Sequence, residues 1–196
     1  GNKPDVIKNT LSHIEKTFEI QQITHKYFCL FVRLNIAYNE FGMTRNPKEY
    51  KLMKRVFNHP LVRTKIEPET FIAKEYYLLI HTYKNYFKQE FTQMNYYAKR
   101  RTDLYINNPH LIKQYSTDYL WALNNTLISS LLSNKITSSE YYLKKLNELS
   151  SILSSEQDKK QAFISSLFGL KYYLQIKNYP KANIVTQKLI KELPAY

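Results

Sequence analysis

The stretch that decides the fold runs from residue 160 to residue 194 and reads KQAFISSLFGLKYYLQIKNYPKANIVTQKLIKELP. Apolar residues recur in it at the spacing of an amphipathic helix on both sides of residues 176–180, IKNYP. The asparagine and the proline of that short link interrupt the helical pattern once. The stretch therefore predicts two helices folded back as a hairpin, and the rest of the chain reads as looser copies of it.

The composition of the 196 residues favours helices throughout. Three glycines and seven prolines are too few for a turn-rich β protein, and long stretches are rich in Leu, Lys, Glu, Gln and Ala. Eighteen tyrosines supply most of the aromatic content, and tyrosine suits helix interfaces that are only partly buried. The length allows one domain with a sizeable core or one short solenoid.

The chain carries a net charge of +13, divided evenly as +6 over residues 1–98 and +7 over residues 99–196. An even excess describes a basic surface rather than a basic tail. Such a surface would attract nucleic acid, anionic lipid or an acidic partner, and a role in solubility alone explains it equally well.

The single cysteine, Cys29, excludes an internal disulfide and any metal site built from several cysteines. It lies in the apolar run YFCLF and is interpreted as a small buried hydrophobic residue. The longest apolar run is too short for a transmembrane helix. The sequence does not decide the location of the protein, and the cytoplasm is the expectation.

An apolar stripe in the first forty residues changes phase. The stripe begins with Ile7, Leu11, Ile14 and Phe18. It resumes on a different face at Tyr27, with no glycine or proline between the two parts. One bent helix and two helices both fit this pattern, and two helices with a joint near residues 19–24 are the expectation. Gly42 is expected to end the second part.

Capping signals predict where the later helices begin. Asn46 and Pro47 start one helix, and Pro68 opens a long one that lasts to a weak break at residues 88–90. Residues 107–109, NNP, mark a sharp stop, and Pro109 is expected to start a helix that continues to Leu131. Residues 137–140, TSSE, have the pattern of a capping box, and residues 155–158 resemble a second one.

The predicted turns inside hairpins recur at a nearly constant spacing. They align at Asn46, Phe91, Ile136 and Tyr179, at intervals of 45, 45 and 43 residues. This period predicts about four helix-turn-helix hairpins preceded by one extra helix. The expectation is eight or nine helices in a single domain spanning residues 1–196.

The final hairpin resembles a tetratricopeptide repeat (TPR). That motif has an aromatic residue midway along its first helix, an aromatic at the turn, a small residue one turn later and a closing proline. The matching residues are Tyr173, Tyr179, Ala182 and Pro194. Gly169-Leu170 stands where the family has a leucine–glycine pair, and Thr186 replaces its usual aromatic.

The other hairpins match the motif in the order and spacing of helices and turns more than in residue types. Phe91 with Met94, and Ile136 with Ser139, take the positions of the turn aromatic and the small residue. A period in the mid-forties exceeds the ~34 residues of a TPR and falls nearer the HEAT range. The whole chain is similar to divergent TPR-like domains, and the resemblance implies an all-α, right-handed α-solenoid.

No constellation of catalytic residues is visible in the sequence. The five histidines are scattered without metal-ligand spacing, and a glycine-rich phosphate loop and a G-x-S-x-G elbow are both absent. The few carboxylates mostly occupy helix starts, where capping explains them. The sequence thus predicts a protein that is not an enzyme and has no catalytic residue, metal or cofactor.

The TPR resemblance implies a concave groove in which polar side chains on the first helix of each hairpin hold a peptide. The candidate contacts are His81, Lys84, Asn85, Asn124, Asn125, Lys171 and Tyr172. These residues also fit a structural role, His81 as a partly buried histidine and Asn124-Asn125 as a hydrogen-bonding pair between helices.

A second candidate site is basic. Its residues are Lys48, Lys51, Arg55, Lys99, Arg100 and Arg101. They would contact nucleic-acid phosphates, with Tyr96 and Tyr97 available for stacking, or they are solvated helix faces. Residues 99–101 are consecutive, so their side chains fan out around a helix and make a poor phosphate stripe.

Three functional hypotheses follow from these patterns. The leading one is a non-catalytic scaffold that binds a protein or peptide in the groove of a solenoid. The second is a basic helical-repeat protein that binds nucleic acid. The third is the sensory or scaffolding part of a larger regulator. The sequence identifies neither the partner nor the oligomeric state.

Overall fold

The computed structural model describes residues 3–41, 47–64, 66–150 and 156–192. Within these ranges the chain forms ten helices and no strand, which confirms the all-α prediction. The helices are α1 (Lys3–Phe41), α2 (Pro47–Phe57), α3 (Pro60–Arg63), α4 (Phe71–Phe87), α5 (Phe91–Ile106), α6 (Pro109–Ile112), α7 (Ser116–Leu132), α8 (Ile136–Ser150), α9 (Glu156–Gln175) and α10 (Tyr179–Glu192). The predicted boundary and motif residues Gly42, Asn46, Ser155 and Pro194 lie outside the described residues.

The chain divides into two compact units, Gly1–Lys88 and Gln89–Tyr196. The boundary between them falls in the connection between α4 and α5, where the sequence predicts a turn inside a hairpin. A single domain and a solenoid arrangement both stay predictions.

The helix α1 is continuous over 39 residues, so the prediction of a joint near residues 19–24 is wrong. No glycine or proline interrupts this stretch, and the Thr24 hydroxyl donates a hydrogen bond to the Ile20 carbonyl oxygen one turn earlier, at 2.9 Å. The apolar stripe moves to another face of one helix. Cys29 is half-buried rather than buried, with its Sγ 3.5 Å from Nε2 of His25.

The core of unit 1 forms where the second half of α1 packs against α4 and α2. The buried face of α1 consists of Tyr27, Leu30, Leu34 and Ala37. Aromatic rings join α1 to α4, with Tyr27 edge-on to Tyr77 at 6.0 Å between centroids and Phe31 stacked on Tyr76 at 5.4 Å. Burial of these large side chains is the main stabilising contribution to unit 1.

The helix α4 begins at Phe71, three residues after the predicted start at Pro68. Thr70 is the N-cap, and its side-chain oxygen accepts a hydrogen bond from the Ala73 backbone N–H at 3.3 Å. The helix starts after Thr70 because its hydroxyl can accept a hydrogen bond from a backbone N–H of the first turn. Proline has no side-chain acceptor, so Pro68 could not cap the helix in this way. Pro68 therefore belongs to the connector.

Unit 2 is built from helices that pack on their neighbours along the chain. α5 packs against α7, α7 against α8, α8 against α9, and α9 against α10, while α7 also contacts α9. Polar side chains join α5 to α7: Asn95 Nδ2 donates to the hydroxyls of Ser129 at 3.1 Å and Ser130 at 2.8 Å. At Gly169 of α9 an added Cβ would lie 3.1 Å from Cδ1 of Leu143, so the glycine permits a close approach of α8 and α9.

Two predicted boundaries in unit 2 are corrected. The helix expected from Pro109 to Leu131 is divided into α6 and α7, because Tyr115 has a non-helical backbone (φ −118°, ψ 40°). The capping box at residues 137–140 does not form, since α8 starts at Ile136 and the Ser139 hydroxyl donates to the Lys135 carbonyl oxygen at 3.2 Å. The structure has ten helices in the described residues where eight or nine are predicted, because the single-turn helices α3 and α6 were not expected.

The turns before α8 and α10 have the same geometry. Asn134 and Lys177 both have φ 56°, two residues after the preceding helix ends. In each turn the next residue donates its backbone N–H to the carbonyl of the residue five positions earlier, Lys135 to Ser130 and Asn178 to Tyr173, both at 2.8 Å. This is the hydrogen bond of a Schellman motif. Gln89, before α5, also has a left-handed backbone, with φ 59°.

The three helices that follow these turns share one buried position. It lies three residues after the helix start and is occupied by Met94, Ser139 and Ala182. The flanking motif residues of the last hairpin differ in burial, since Tyr173 is half-buried and Tyr179 is exposed. The turn backbone and the buried position thus repeat more faithfully than the residue types do.

Candidate partner-binding groove

The seven predicted peptide contacts are distributed over three helices. His81, Lys84 and Asn85 lie on α4 of unit 1, while Asn124, Asn125, Lys171 and Tyr172 lie on α7 and α9 of unit 2. The buried members are His81, Asn85, Asn124 and Tyr172. Lys84 and Asn125 are half-buried, and Lys171 is exposed. A partner at the surface would meet few of these side chains, because helices pack over the faces that carry them.

His81 has the environment of a packed interior histidine. Its ring lies 4.4 Å from the ring of Tyr77, and its carbonyl oxygen accepts a hydrogen bond from Asn85 Nδ2 at 2.7 Å. Burial lowers the pKa of His81 to about 4, and the nearby Lys84 ammonium adds to the lowering against an opposing effect of Glu67. The imidazole is therefore neutral at physiological pH.

The predicted basic site separates into side chains with different surroundings. Lys51 and Arg55 are exposed on α2, and the side chain of Lys48 lies outside the described residues. On α5, Lys99 pairs with Asp103 at 2.8 Å and Arg100 lies over the ring of Tyr96 at 5.3 Å.

The prediction that Arg101 belongs to an exposed basic patch is wrong. Its side chain is 1% exposed, and its Nη2 donates to the Asp118 carbonyl oxygen at 3.4 Å. A guanidinium in this position supports packing within unit 2 and offers no surface to a phosphate. The consecutive cations of residues 99–101 do not form one patch.

Unit 1 contains a groove that the sequence does not predict. It has a volume of about 550 Å³ and lies between the middle of α1, the short helix α3 and the start of α4. Its lining residues are Lys16, Glu19, Ile20, Ile23, Tyr27, Pro60, Leu61, Thr64, Ile66, Glu67, Pro68, Glu69, Thr70 and Ala73. This volume is within the range of small-ligand and peptide pockets.

Hydrogen bonds fix the walls of the groove. The Tyr27 hydroxyl donates to the Leu61 carbonyl oxygen at 3.0 Å and ties α1 to α3. The hydroxyls of Thr24 and Thr70 lie 3.2 Å apart and tie α1 to the cap of α4. Burial raises the pKa of Tyr27, so its hydroxyl keeps its proton and stays a donor. The groove is thus formed before a partner arrives.

The lining of the groove is apolar inside and acidic at its edges. Ile20, Ile23 and Leu61 supply apolar surface, and Ile66 is 79% exposed beside them. Three carboxylates line the groove, those of Glu19, Glu67 and Glu69, against the one ammonium of Lys16. In a chain with a net charge of +13 this local excess of negative charge stands out.

The sequence does not predict the groove because its lining comes from three separate segments. The stretch between α2 and α4 reads as a connector with two prolines, and only packing against α1 converts it into a wall. The sequence explains Glu67 and Glu69 as acidic residues at the start of the helix expected from Pro68, and only the observed start at Phe71 places them before the helix.

Two further cavities of about 500 Å³ lie elsewhere. One lies between α1 and the start of α4, next to the groove, and shares Ile20 and Thr70 with it. The other lies in unit 2 between α8 and Tyr173 of α9, with two glutamates and one lysine in its lining. Of these three cavities the groove has the largest volume.

Within the described part of the chain, His, Cys, Asp and Glu residues form no group of three or more that would hold a metal ion. In the same residues no helix combines the length and the apolar character that crossing a membrane requires. No protein-family model, curated protein or solved structure matches the chain.

Proposed function

We propose that this chain is a non-catalytic protein-binding module with TPR-like repeats, and that it takes up a segment of a protein partner in the groove of unit 1. The observation that carries the proposal is the preformed groove of about 550 Å³ between α1, α3 and α4. An apolar interior with polar groups at the edge is typical of sites that bind peptide segments and other ligands.

The charges at the groove indicate the chemistry of the partner segment. Glu19, Glu67 and Glu69 would attract lysine or arginine, while Ile20, Ile23 and Leu61 would accept apolar side chains. The proposed partner segment therefore combines apolar anchors with basic residues. The same carboxylates would repel nucleic-acid phosphates from this groove.

The repeated turns support the TPR-like part of the proposal. Asn134 and Lys177 share a backbone conformation and a hydrogen-bond pattern, and a buried residue follows each turn at the same distance. In unit 2 α5 packs on α7, each of α7, α8 and α9 contacts the helix that follows it, and α7 also contacts α9, the first helix of the next hairpin. Stacked hairpins with this neighbour pattern are the organisation of helical-repeat proteins.

The test is selection from a random peptide display library against the full chain, followed by affinity measurements on the selected peptides. We expect the selected peptides to combine apolar and basic residues. In the variant Glu19→Lys/Glu69→Lys their affinity should fall about tenfold or more, because two attractive charges become repulsive. Both glutamates are exposed, so the fold should be unaffected.

The matched control is Asp118→Lys/Glu148→Lys, which makes the same charge change on exposed positions of unit 2. Its peptide affinity should equal that of the unmodified chain. An equal loss in both variants would show a general charge effect, and selected peptides without basic residues would contradict the proposed chemistry.

A second candidate function, nucleic-acid binding, is favoured by the surface of α2. Lys51, Lys54 and Arg55 are all exposed there, while Met53, Val56 and Phe57 face the core. Three cations on the solvent side of one helix are the arrangement that contacts phosphates. The discriminating measurement is the salt dependence of binding to DNA of arbitrary sequence.

A further inference from the structure

The first half of α1 is a helical arm whose side chains are all exposed. We define the arm as residues 5–19, and within it the arm stripe as Ile7, Leu11, Ile14 and Phe18. The exposed fractions of these four side chains are 60%, 54%, 43% and 60%. The spacing of four, three and four residues places them on one face of the helix. Four large apolar side chains in one row form a docking face.

The arm stripe points away from the core of unit 1. Nine residues, or about two and a half turns, separate Phe18 of the arm stripe from Tyr27 of the buried face. Because α1 is one uninterrupted helix, the two faces lie on opposite sides of it. Unit 1 therefore cannot cover the arm stripe. The groove borders α1 from Lys16 to Tyr27 and also lies on the side of α1 away from the arm stripe.

The arm differs from the rest of the chain in charge. The arm has two basic and three acidic side chains, and residues 1–24 have three of each, so the whole net charge of +13 belongs to residues 25–196. Two arms would approach each other without the repulsion that two basic bodies experience. An arm without an excess of positive charge also differs from helices that lie on anionic membranes, which carry lysine and arginine along their polar face.

We infer that the arms of two copies of this chain pair antiparallel through the arm stripe. In this register Ile7 lies opposite Phe18 of the second copy, and Leu11 lies opposite Ile14 of the second copy. All four side chains of each stripe are then covered by apolar partners. The inference is independent of the groove, which uses another face of α1.

The charges beside the arm stripe select the antiparallel orientation. Lys8 and Glu15 flank the same side of the stripe, because they are seven residues apart. In an antiparallel pair each Lys8 lies beside Glu15 of the second copy, and the contact occurs twice. In a parallel pair Glu15 would lie across from Thr10, and no opposite charges would meet. The arm is therefore complementary to itself in one orientation.

The unit 1 cores do not obstruct this pairing. The core face of each α1 points away from the arm stripe, so each core lies on the outer side of the pair. An interface of eight apolar side chains buries less surface than stable complexes do, which bury about 1,200–2,000 Å² in total. The dimer should therefore form with a Kd on the order of 10 µM and depend on concentration.

Sedimentation velocity of the full chain from about 1 to about 100 µM tests the inference, a range that spans the expected Kd. The mass should rise from monomer to dimer across this range. Leu11→Glu and Phe18→Glu should each keep the chain monomeric, and circular dichroism should show that its helix content is retained. Val6→Glu is the matched control: Val6 is 58% exposed but lies about 110° from the arm stripe, so this variant should still dimerise.

Charge exchange tests the orientation. Lys8→Glu and Glu15→Lys should each weaken the homodimer, because like charges then meet twice. An equimolar mixture of the two variants should form a heterodimer at least as well as the unmodified chain, since opposite charges meet again. Mixed variants that stay monomeric would overturn the antiparallel register.

Three results would overturn the pairing itself. They are a monomer at every concentration, a dimer that Leu11→Glu and Phe18→Glu leave intact, and a monomer whose arm binds vesicles. The vesicle experiment uses co-sedimentation with phosphatidylcholine and phosphatidylserine, and the expected result is no binding that depends on Leu11 or Phe18.

Discussion

His81 illustrates how packing decides the chemistry of a single side chain. The sequence places it on a helix beside Tyr77 and Lys84, where the pattern favours partial burial at a helix interface and leaves contact with a peptide as the alternative. The structure buries the imidazole against Tyr77 and lowers its pKa to about 4. A histidine that resists protonation makes the folded state sensitive to acid.

The resulting prediction concerns stability below neutral pH. An unfolded chain protonates His81 near its ordinary pKa of 6.5, whereas the folded chain does so only near 4. Between these values the unfolded state binds more protons, so the contribution of His81 to stability is present above pH 6.5 and is lost as the pH falls toward 4. At about 1.4 kcal/mol per pKa unit, the loss between pH 7 and about pH 4.5 should be roughly 2–3 kcal/mol.

Urea unfolding of the unmodified chain and of His81→Gln at both pH values isolates this effect. Glutamine does not titrate, so the variant should lose less stability on acidification by that amount. An equal loss in the two proteins would show that other groups cause the acid sensitivity.

Asn85, Asn124 and Arg101 show the limit of prediction at the residue scale. The sequence marks Asn124 as unusual because asparagine has no helix-propensity reason to be in mid-helix, whereas it places Asn85 among the groove contacts and Arg101 in the basic patch. Whether a second helix covers that face depends on tertiary packing, which helical periodicity does not contain. All three are buried.

At the scale of elements, the turn before α10 offers a sharp test of backbone strain. Lys177 has φ 56°, a left-handed conformation that costs a residue with a Cβ about 1–2 kcal/mol and glycine almost nothing. Lys177→Gly should therefore stabilise the chain by about 0.5–1 kcal/mol in thermal or urea unfolding.

Asn134 provides the comparison, because it has the same φ of 56° but asparagine tolerates this conformation better than lysine. The gain from Asn134→Gly should be smaller than the gain from Lys177→Gly. The control Lys177→Ala removes the same side chain and keeps the Cβ, so it should produce no gain. A gain from Lys177→Ala equal to that from glycine would attribute the effect to the lost charge.

Helix boundaries were predictable where local chemistry determines them and not elsewhere. The break between α4 and α5 and the stop at residues 107–109 follow from short-range signals and are confirmed. The break between α6 and α7 has no glycine or proline, so nothing in the sequence marks it. The change of face in the apolar stripe of α1 is visible in the sequence. A continuous helix that buries only its second half and a helix broken in two give the same pattern.

At the scale of the whole molecule, the net charge of +13 predicts salt-dependent binding to polyanions. If α2 makes the contact, replacing Lys51, Lys54 and Arg55 with glutamine should reduce the slope of log K against log salt by about 3. The measurement is the affinity for double-stranded DNA of arbitrary sequence over a series of salt concentrations.

The control replaces Lys135, Lys177 and Lys191, which are exposed in unit 2, and removes the same total charge. Equal changes in both triple variants would mean that the general charge binds DNA and α2 has no special role. The absence of binding at low salt would exclude the nucleic-acid function.

Fold class was the most predictable property of the molecule, because helical periodicity and the scarcity of glycine are spread over the whole chain. The groove was the least predictable, since it needs Ile20 and Tyr27 of α1 to meet Leu61 of α3. Long-range contacts of this kind leave no period in the sequence. The exposed arm was partly predictable. Its apolar stripe can be read from the sequence, but only the structure shows that unit 1 leaves the stripe uncovered.

The continuity of α1 has a consequence for avidity. One rigid helix carries the arm stripe on one side and a wall of the groove on the other, so pairing of two arms would fix two grooves in space. In the antiparallel register the two copies of Ile20 are about fifteen residues, or ~22 Å, apart along the helix axis. A partner with two suitable segments joined by a linker of matching span would bind the second at a high effective concentration. Bivalent partners would then be retained far longer than monovalent ones.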